Sequence, residues 1–243
     1  MITTDDPDDD YDPNEEYPYE QDDDYEQGYY SDGAYVSLPS QHPATTTAHP
    51  VTAPDIQTLY HTALLGRFEA HRAFLQSPPP ANALSTLDSS THPSTFPTAN
   101  AHDSRELAFR AWRYNLRNTM PHPTQLSQMD TATILRLLKL LDGSLEQCAN
   151  ESKNIGMEMS CWIWGLLGRL EGVGQLDSTE VGTVRDLGKT AVWVGYRYRK
   201  METETSEVPD ANTLATLDLI ITVAGELYGQ RDLLQSRLTW EKG

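Results

Sequence analysis

The feature that most constrains the fold is residues 159–170, an apolar run with the sequence MSCWIWGLLGRL. Only Ser160 and Arg169 in it are strongly polar. Trp164 lies off its main apolar stripe, so the apolar surface extends around more of the helix than one neighbour would cover. Such a helix is either the centre of a helical bundle or one that a second protein also covers. The stripe itself recurs at helical spacing and consists of Met159, Trp162, Ile163, Leu166, Leu167 and Leu170.

Amphipathic segments around this run predict the other helices of a bundle. Asp103 is placed to cap a helix that ends near residue 118, with Leu107, Ala111, Trp112 and Leu116 facing inward. Either Thr124 or Asp130 opens the next helix, which we expect to weaken at Gly143 and fray through Leu145. The central helix is expected over about 151–171. Two more follow, over about 178–199 with Ser178 as the cap, and from Asp210 to a stop at Gly229.

The predicted helix over 178–199 has two unusual features. Gly182, Gly188 and Gly195 each cost roughly 1 kcal/mol relative to alanine, so either a neighbouring backbone approaches closely or the helix is weak. Cations also crowd it. The last three of them complement the negative end of the helix dipole, and a basic docking patch is the alternative explanation. The cations are Arg185, Lys189, Arg197, Arg199 and Lys200.

The N-terminal arm carries most of the net charge of −18. Residues 1–33 contain fourteen acids and no Lys or Arg, whereas the remainder has 22 acids and 18 bases. Low hydrophobicity and like-charge repulsion predict disorder. The arm is either a solubilising tail or a segment that mimics a polyanion on a basic partner. In the second case its anchors would be Tyr11, Tyr17, Tyr19, Tyr25, Tyr29 and Tyr30.

A second amphipathic helix is predicted over 55–76, detached from the bundle in the sequence. Asp55 is placed to cap it and three prolines at 78–80 stop it. It either folds back onto the bundle or lies on a partner. The chain therefore divides into a disordered acidic and Pro/Thr-rich arm (1–54), an isolated helix (55–76), a Pro/Ser/Thr-rich linker (77–102) and a helical bundle (103–243). The fold class is all-α.

The sequence carries little that would suit an enzyme or a cofactor. We find no phosphate-binding glycine loop, paired-cysteine metal spacing or nucleophile elbow. His61 and His71 are ten residues apart, a spacing that does not suit a shared metal ion. No secretory signal or apolar run of about 20 residues is present. We therefore expect a non-enzymatic protein without cofactors, metals or membrane contact, and without sequence-specific nucleic-acid binding.

Three segments resemble the gemin two family, whose members interact with the survival of motor neuron protein (SMN). The MDTATI run at 129–134 resembles the family's Met-Asn-x-Ala-Thr-Val helix opening. The WIWGLLGRLE run at 162–171 is similar to its Trp-Leu-x-Ala-Leu-Leu-x-x-Leu-Glu segment, and YGQRDL at 228–233 to its Tyr-Phe-x-Gln-Arg-Asp-Leu. RFEAHR at 67–72 weakly resembles the family's isolated N-terminal helix. The order and spacing of the first three segments agree with the family.

The resemblance implies an assembly factor of the SMN complex, found in cytoplasm and nucleus, that serves spliceosomal snRNP formation and hence mRNA splicing. Its bundle would receive the SMN N-terminal helix and touch Sm ring proteins. Its arm and isolated helix would embrace other Sm subunits, and the acidic tail would compete with RNA. The expected partner-binding residues are Trp162, Trp164, Leu166, Leu167, Leu170, Arg231, Asp232, Tyr60, Leu64, Phe68 and Arg72.

A different class of function also fits the composition. A generic acidic chaperone or scaffold for basic proteins such as histones would take most of its affinity from the fourteen acids of the arm. Deleting residues 1–33 distinguishes the two, because only the generic chaperone would then lose its partner.

Overall fold

The structure is a computed structural model that describes residues 28–31, 34–37, 55–96, 102–205 and 208–237. The chain forms two compact units, residues 1–52 and 53–243. In the first unit, β1 (Gly28–Ser31) pairs with β2 (Ala34–Ser37) as an antiparallel hairpin in which Tyr30 lies opposite Tyr35. The disorder predicted for the rest of the arm lies outside the described residues.

The second unit is all-α, as predicted. Its helices are α1 (Ile56–Gln76), α2 (Ala81–Thr86), α3 (His102–Asn118), α4 (Pro123–Ser127), α5 (Thr131–Asn150), α6 (Met157–Arg169), α7 (Ser178–Thr205), α8 (Ala211–Thr222) and α9 (Arg231–Leu234). A π-helical turn over Val223–Leu227 continues α8, and Gly229 then ends it with a positive φ of 71°. Within the described ranges, no helix is both long enough and apolar enough to span a membrane.

Helix α6 is the centre of this unit, because it contacts α1, α3, α4, α5 and α8. Trp162 is 1% exposed, packs edge-on against Trp112 at 6.0 Å, and donates from Nε1 to the Thr119 carbonyl at 2.8 Å. The indole is thus both packed and hydrogen-bonded, as a buried tryptophan requires. The apolar run at 159–170 therefore forms the centre of the bundle.

Three predicted helix boundaries are wrong for local reasons. Helix α6 begins at Met157, because α5 continues through Gly143 to Asn150 and ends with Glu151 as its C-terminal cap. Leu145 is fully buried, so tertiary packing overrides the weakness at Gly143. Helix α3 begins at His102, so Asp103 lies inside it.

Helix α7 is also longer than expected, since it runs to Thr205 instead of ending near residue 199. Asp177, rather than Ser178, caps it: the Glu180 N–H donates to Asp177 Oδ1 and the Asp177 N–H donates to Glu180 Oε2, each at 2.8 Å. This reciprocal pair is a capping box. Asp210 caps α8 as predicted, by accepting from the Thr213 N–H at 2.7 Å.

The inward face of α3 was also predicted wrongly in part. Trp112 and Leu116 are buried as expected, but Leu107 is 62% exposed and Ala111 is exposed. Leu107 precedes Trp112 by five residues, which places it about 140° around the helix from the buried face. Ala108, four residues before Trp112, takes the inward position instead.

Candidate protein-interaction site

Helix α6 has one face that the rest of the bundle covers only in part. Cys161, Trp164, Gly165 and Gly168 follow one another at i, i+3, i+4 and i+7 and therefore share this face, which we call the receiving face. Trp164 and Cys161 on it are half-buried, and Met157, one turn earlier, is 53% exposed. The other large apolar side chains of α6 are buried in the core. Any protein segment that reaches α6 must therefore approach over the receiving face.

Helix α1 lies on this receiving face. Its Phe68 is fully buried and packs edge-on against Trp164, with 5.5 Å between ring centroids. Leu64 and Leu75 are buried on the same side of α1. Gly168 permits the close approach, since a Cβ there would lie 3.1 Å from His71 Cδ2. Of the two alternatives for residues 55–76, the structure shows α1 folded back on the bundle.

Polar contacts hold α1 at both ends. His61 Nε2 lies 3.2 Å from both carboxylate oxygens of Asp218 on α8, and Arg237 Nη1 lies 3.2 Å from His61 Nδ1. At the other end, Arg72 Nη2 donates to the Leu170 carbonyl at 3.0 Å. This contact satisfies a carbonyl at the C-terminal end of α6 with a cation, where the helix dipole favours positive charge.

The contact between α1 and the bundle is imperfectly packed. An apolar groove of about 360 Å³ remains between α1, α6 and α8. His71 Nε2 is buried there without a hydrogen-bond partner among the described residues, and burial lowers the pKa of His71. Burial likewise raises the pKa of the Cys161 thiol in the groove. The groove is lined by Tyr60, Leu64, His71, Leu75, Pro121, Pro123, Leu126, Ser160, Cys161, Trp164, Gly165, Asn212, Ala215, Thr216 and Leu219.

The predicted partner-binding residues fall into three groups. The first group lies in the core with at most 1% of each side chain exposed, so these residues do not contact a partner directly in this conformation. They are Trp162, Leu166, Leu167 and Leu170. Trp164 lies on the receiving face. The α1 residues lie against the bundle and are Tyr60, Leu64, Phe68 and Arg72. Their partner contacts stay a prediction.

Arg231 and Asp232 form the third group, away from the receiving face. Arg185 of α7 makes a two-pronged contact with Asp232, at 2.7 and 3.1 Å, and this hydrogen bonding lowers the pKa of Asp232. Asp232 therefore ties α9 to α7, whereas Arg231 is exposed. Two cations of the suggested basic patch are also paired locally: Lys189 lies 3.5 Å from Asp186, and Arg197 lies over the Trp193 ring.

Sequence reasoning missed two contributors to this region. Phe96, in the predicted linker, is 5% exposed and packs edge-on against Phe109 of α3 at 4.8 Å. Nearby, Gln125 Nε2 donates to the Pro93 carbonyl at 2.8 Å, so the linker is fastened to the bundle at residues 93–96. The second contributor is the pair of glycines on the receiving face, Gly165 and Gly168, because the sequence singled out only Trp164 of that face. The spacing of the two glycines beside Trp164 was the signal that could have revealed the close packing there.

The fold and this site define a class: an all-α bundle whose central helix is covered by a tethered amphipathic helix, an architecture suited to helix-to-helix protein interaction. The family model of Survival motor neuron (SMN) interacting protein 1 (SIP1) matches residues 5–231. The chain belongs to this family, and the predicted gemin two resemblance is confirmed.

A solved structure shows the same fold. A chain of "The 8S snRNP Assembly Intermediate" is similar to this one with a TM-score of 0.51 and 16% sequence identity, over 76% of each chain. A comparison with curated proteins finds no match.

Proposed function

We propose that this chain is a non-catalytic assembly factor for spliceosomal snRNP cores. Its bundle binds the N-terminal helix of SMN, and the chain holds Sm proteins while the core forms. The acidic arm competes with RNA for the Sm proteins, and the protein works in cytoplasm and nucleus without binding RNA by sequence.

The observation that carries the proposal is the extent of the family match. Residues 5–231 include the arm, α1 and all of the bundle to the start of α9. The fold neighbour is one chain of "The 8S snRNP Assembly Intermediate", which supports a role in the same process. The receiving face adds a physical reason, since an apolar face between helices suits an amphipathic partner helix.

The proposal is tested by isothermal titration of the full chain with a synthetic peptide of the SMN N-terminal helix. We expect saturable binding, and we expect Trp164→Ala to weaken it at least about tenfold, because interfacial tryptophans are frequent hot spots. Trp164 is the better choice than Trp162, whose removal from the core costs roughly 3–5 kcal/mol and threatens the fold itself.

The matched control is Trp193→Ala. Trp193 is also a partly exposed tryptophan, but it lies on α7 and not on the receiving face. We expect its peptide affinity to equal that of the wild type, with both variants checked for native helicity by circular dichroism. Absence of binding by the wild-type chain, or equal losses in both variants, would count against the proposed site.

A further inference from the structure

We propose that the receiving face accepts one amphipathic helix at a time, and that α1 occupies it in cis until a partner helix displaces α1. The inference rests on the proposed function, since the competing helix is the SMN helix assigned there. It adds a regulatory step: the chain covers its own binding site, and partner binding frees α1.

The first support is that α1 buries few of its residues against the bundle. Of its 21 residues only Leu64, Phe68 and Leu75 are buried. Helix α5, by contrast, buries nine residues of 20, and α6 buries seven of 13. Because large apolar side chains each contribute roughly 1.5–3 kcal/mol on burial, α1 is held far less firmly than the helices beneath it. Elements with few buried contacts are those that open locally without global unfolding.

The second support is the imperfect packing between α1 and the bundle. The groove beneath α1 leaves part of Leu64 and Trp164 without close neighbours, which forfeits dispersion contacts. His71 Nε2 has no hydrogen-bond partner in the part of the chain that the structure describes, which adds the cost of burying a polar atom unpaired. A partner helix that fills the groove and leaves no polar atom unpaired would bind the same face better than α1 does.

The third support is the tether. Phe96 and the Pro93 carbonyl fasten the chain to α3, α5 and α4, whereas residues 77–92 between this anchor and α1 include only the six-residue α2. Helix α1 can therefore leave the receiving face while the anchor and the bundle core stay in place. The same short tether keeps α1 at high local concentration, so it returns when the partner leaves.

The native thiols provide a direct reporter of this exchange. Cys161 lies on the receiving face and lines the groove, whereas Cys148 lies on α5. When α1 leaves, Cys161 should react faster with a maleimide, while the rate at Cys148 stays constant. Peptide mapping by mass spectrometry resolves the two thiols in one sample, so Cys148 serves as the internal control.

The closing experiment compares the full chain with Phe68→Ala, which loosens α1, and with Phe74→Ala, which alters the exposed side of the same helix. If the receiving face is open in about 1–10% of wild-type molecules, freeing it should tighten the affinity for the SMN peptide about 10–100-fold. We expect this gain, together with faster labelling of Cys161, in Phe68→Ala only. If Phe68→Ala fails to fold, Leu75→Ala, which is also on the buried side of α1, should show both changes.

Peptide affinity that stays equal or falls in a variant with faster Cys161 labelling would overturn the competition, because the partner would then bind beside α1 or elsewhere. The proposed function would survive that result. If the peptide binds none of the variants, the proposed function itself fails, and the competition fails with it. Unchanged labelling of Cys161 in both loosened variants would also refute displacement, since α1 would then not be the cover of that thiol.

Discussion

Phe96 is a residue-scale anchor that fixes the linker to the bundle. Its ring is stacked near Trp112 at 6.5 Å, contacts Phe109, and lies 5.8 Å from the Arg136 guanidinium. We expect Phe96→Ala to lower the free energy of unfolding by about 3–5 kcal/mol, the usual cost of removing a buried phenyl ring. Urea denaturation followed by circular dichroism measures it. Phe74→Ala, at a position that is 61% exposed, should change stability by under about 0.5 kcal/mol; equal effects would show that Phe96 is not an anchor.

Asp142 is a residue whose ionisation opposes folding. Burial raises its pKa, the nearby charges of Glu146 and Asp186 add to the increase, and a hydrogen bond with Thr190 partly offsets it. The folded state therefore binds a proton more tightly than the unfolded state, so stability falls as pH rises through the raised pKa. We expect Asp142→Asn to raise the denaturation midpoint at pH 7.

The pH profile provides the check on that explanation. As the pH falls from 7 to about 4, which is near the ordinary pKa of a free Asp carboxyl, the stability advantage of Asp142→Asn over the wild type should shrink. An advantage that stays constant across this range would mean that packing, and not the charge of Asp142, is responsible.

At the scale of elements, close packing of α7 against the end of the bundle depends on one glycine. A Cβ at Gly188 would lie 2.5 Å from Leu233 Cδ1 and 3.2 Å from Ala224 Cβ, whereas one at Gly182 would meet nothing within 4 Å. We expect Gly188→Ala to destabilise by about 1–3 kcal/mol through overpacking, and Gly182→Ala to stabilise by up to about 1 kcal/mol through helix propensity. Thermal unfolding of the two variants tests this. Stabilisation by both would show that the glycines only weaken the helix.

The elements also show what the sequence could predict. The all-α class, the central position of Trp162 and the helix over 55–76 follow from apolar periodicity, which reports burial directly. The end of α5 could not be predicted from Gly143, because long-range packing of Leu145 outweighs local propensity. The docking of α1 was left open for a similar reason. This docking depends on the close approach of Gly168 to His71, two residues that are nearly a hundred positions apart in the sequence. The periodicity within one helix does not report contacts between distant helices.

At the scale of the whole molecule, charge and apolar surface are separated along the chain. Residues 1–27 contain thirteen acids and no bases, whereas the buried core found among the described residues lies at or beyond Leu64. Removing residues 1–27 should therefore leave the thermal midpoint of the bundle unchanged. Its consequences should fall on partners: in the proposed assembly factor the bundle and α1 still hold Sm proteins, and RNA then loads on them without competition from the arm.

The comparison is between the full chain, a chain lacking residues 1–27, and a chain in which those thirteen acids are Asn or Gln. Binding to reconstituted Sm proteins is measured from about 0.01 M to about 1 M salt, over which the screening length falls from about 30 Å to about 3 Å. We expect both altered chains to keep binding the Sm proteins. This binding should lose most of its salt dependence, and RNA should load faster. The uncharged arm should match the deletion, because charge rather than chain length keeps RNA away. Binding that collapses in both altered chains would instead identify the arm as the main contact, as in a generic acidic chaperone for basic proteins.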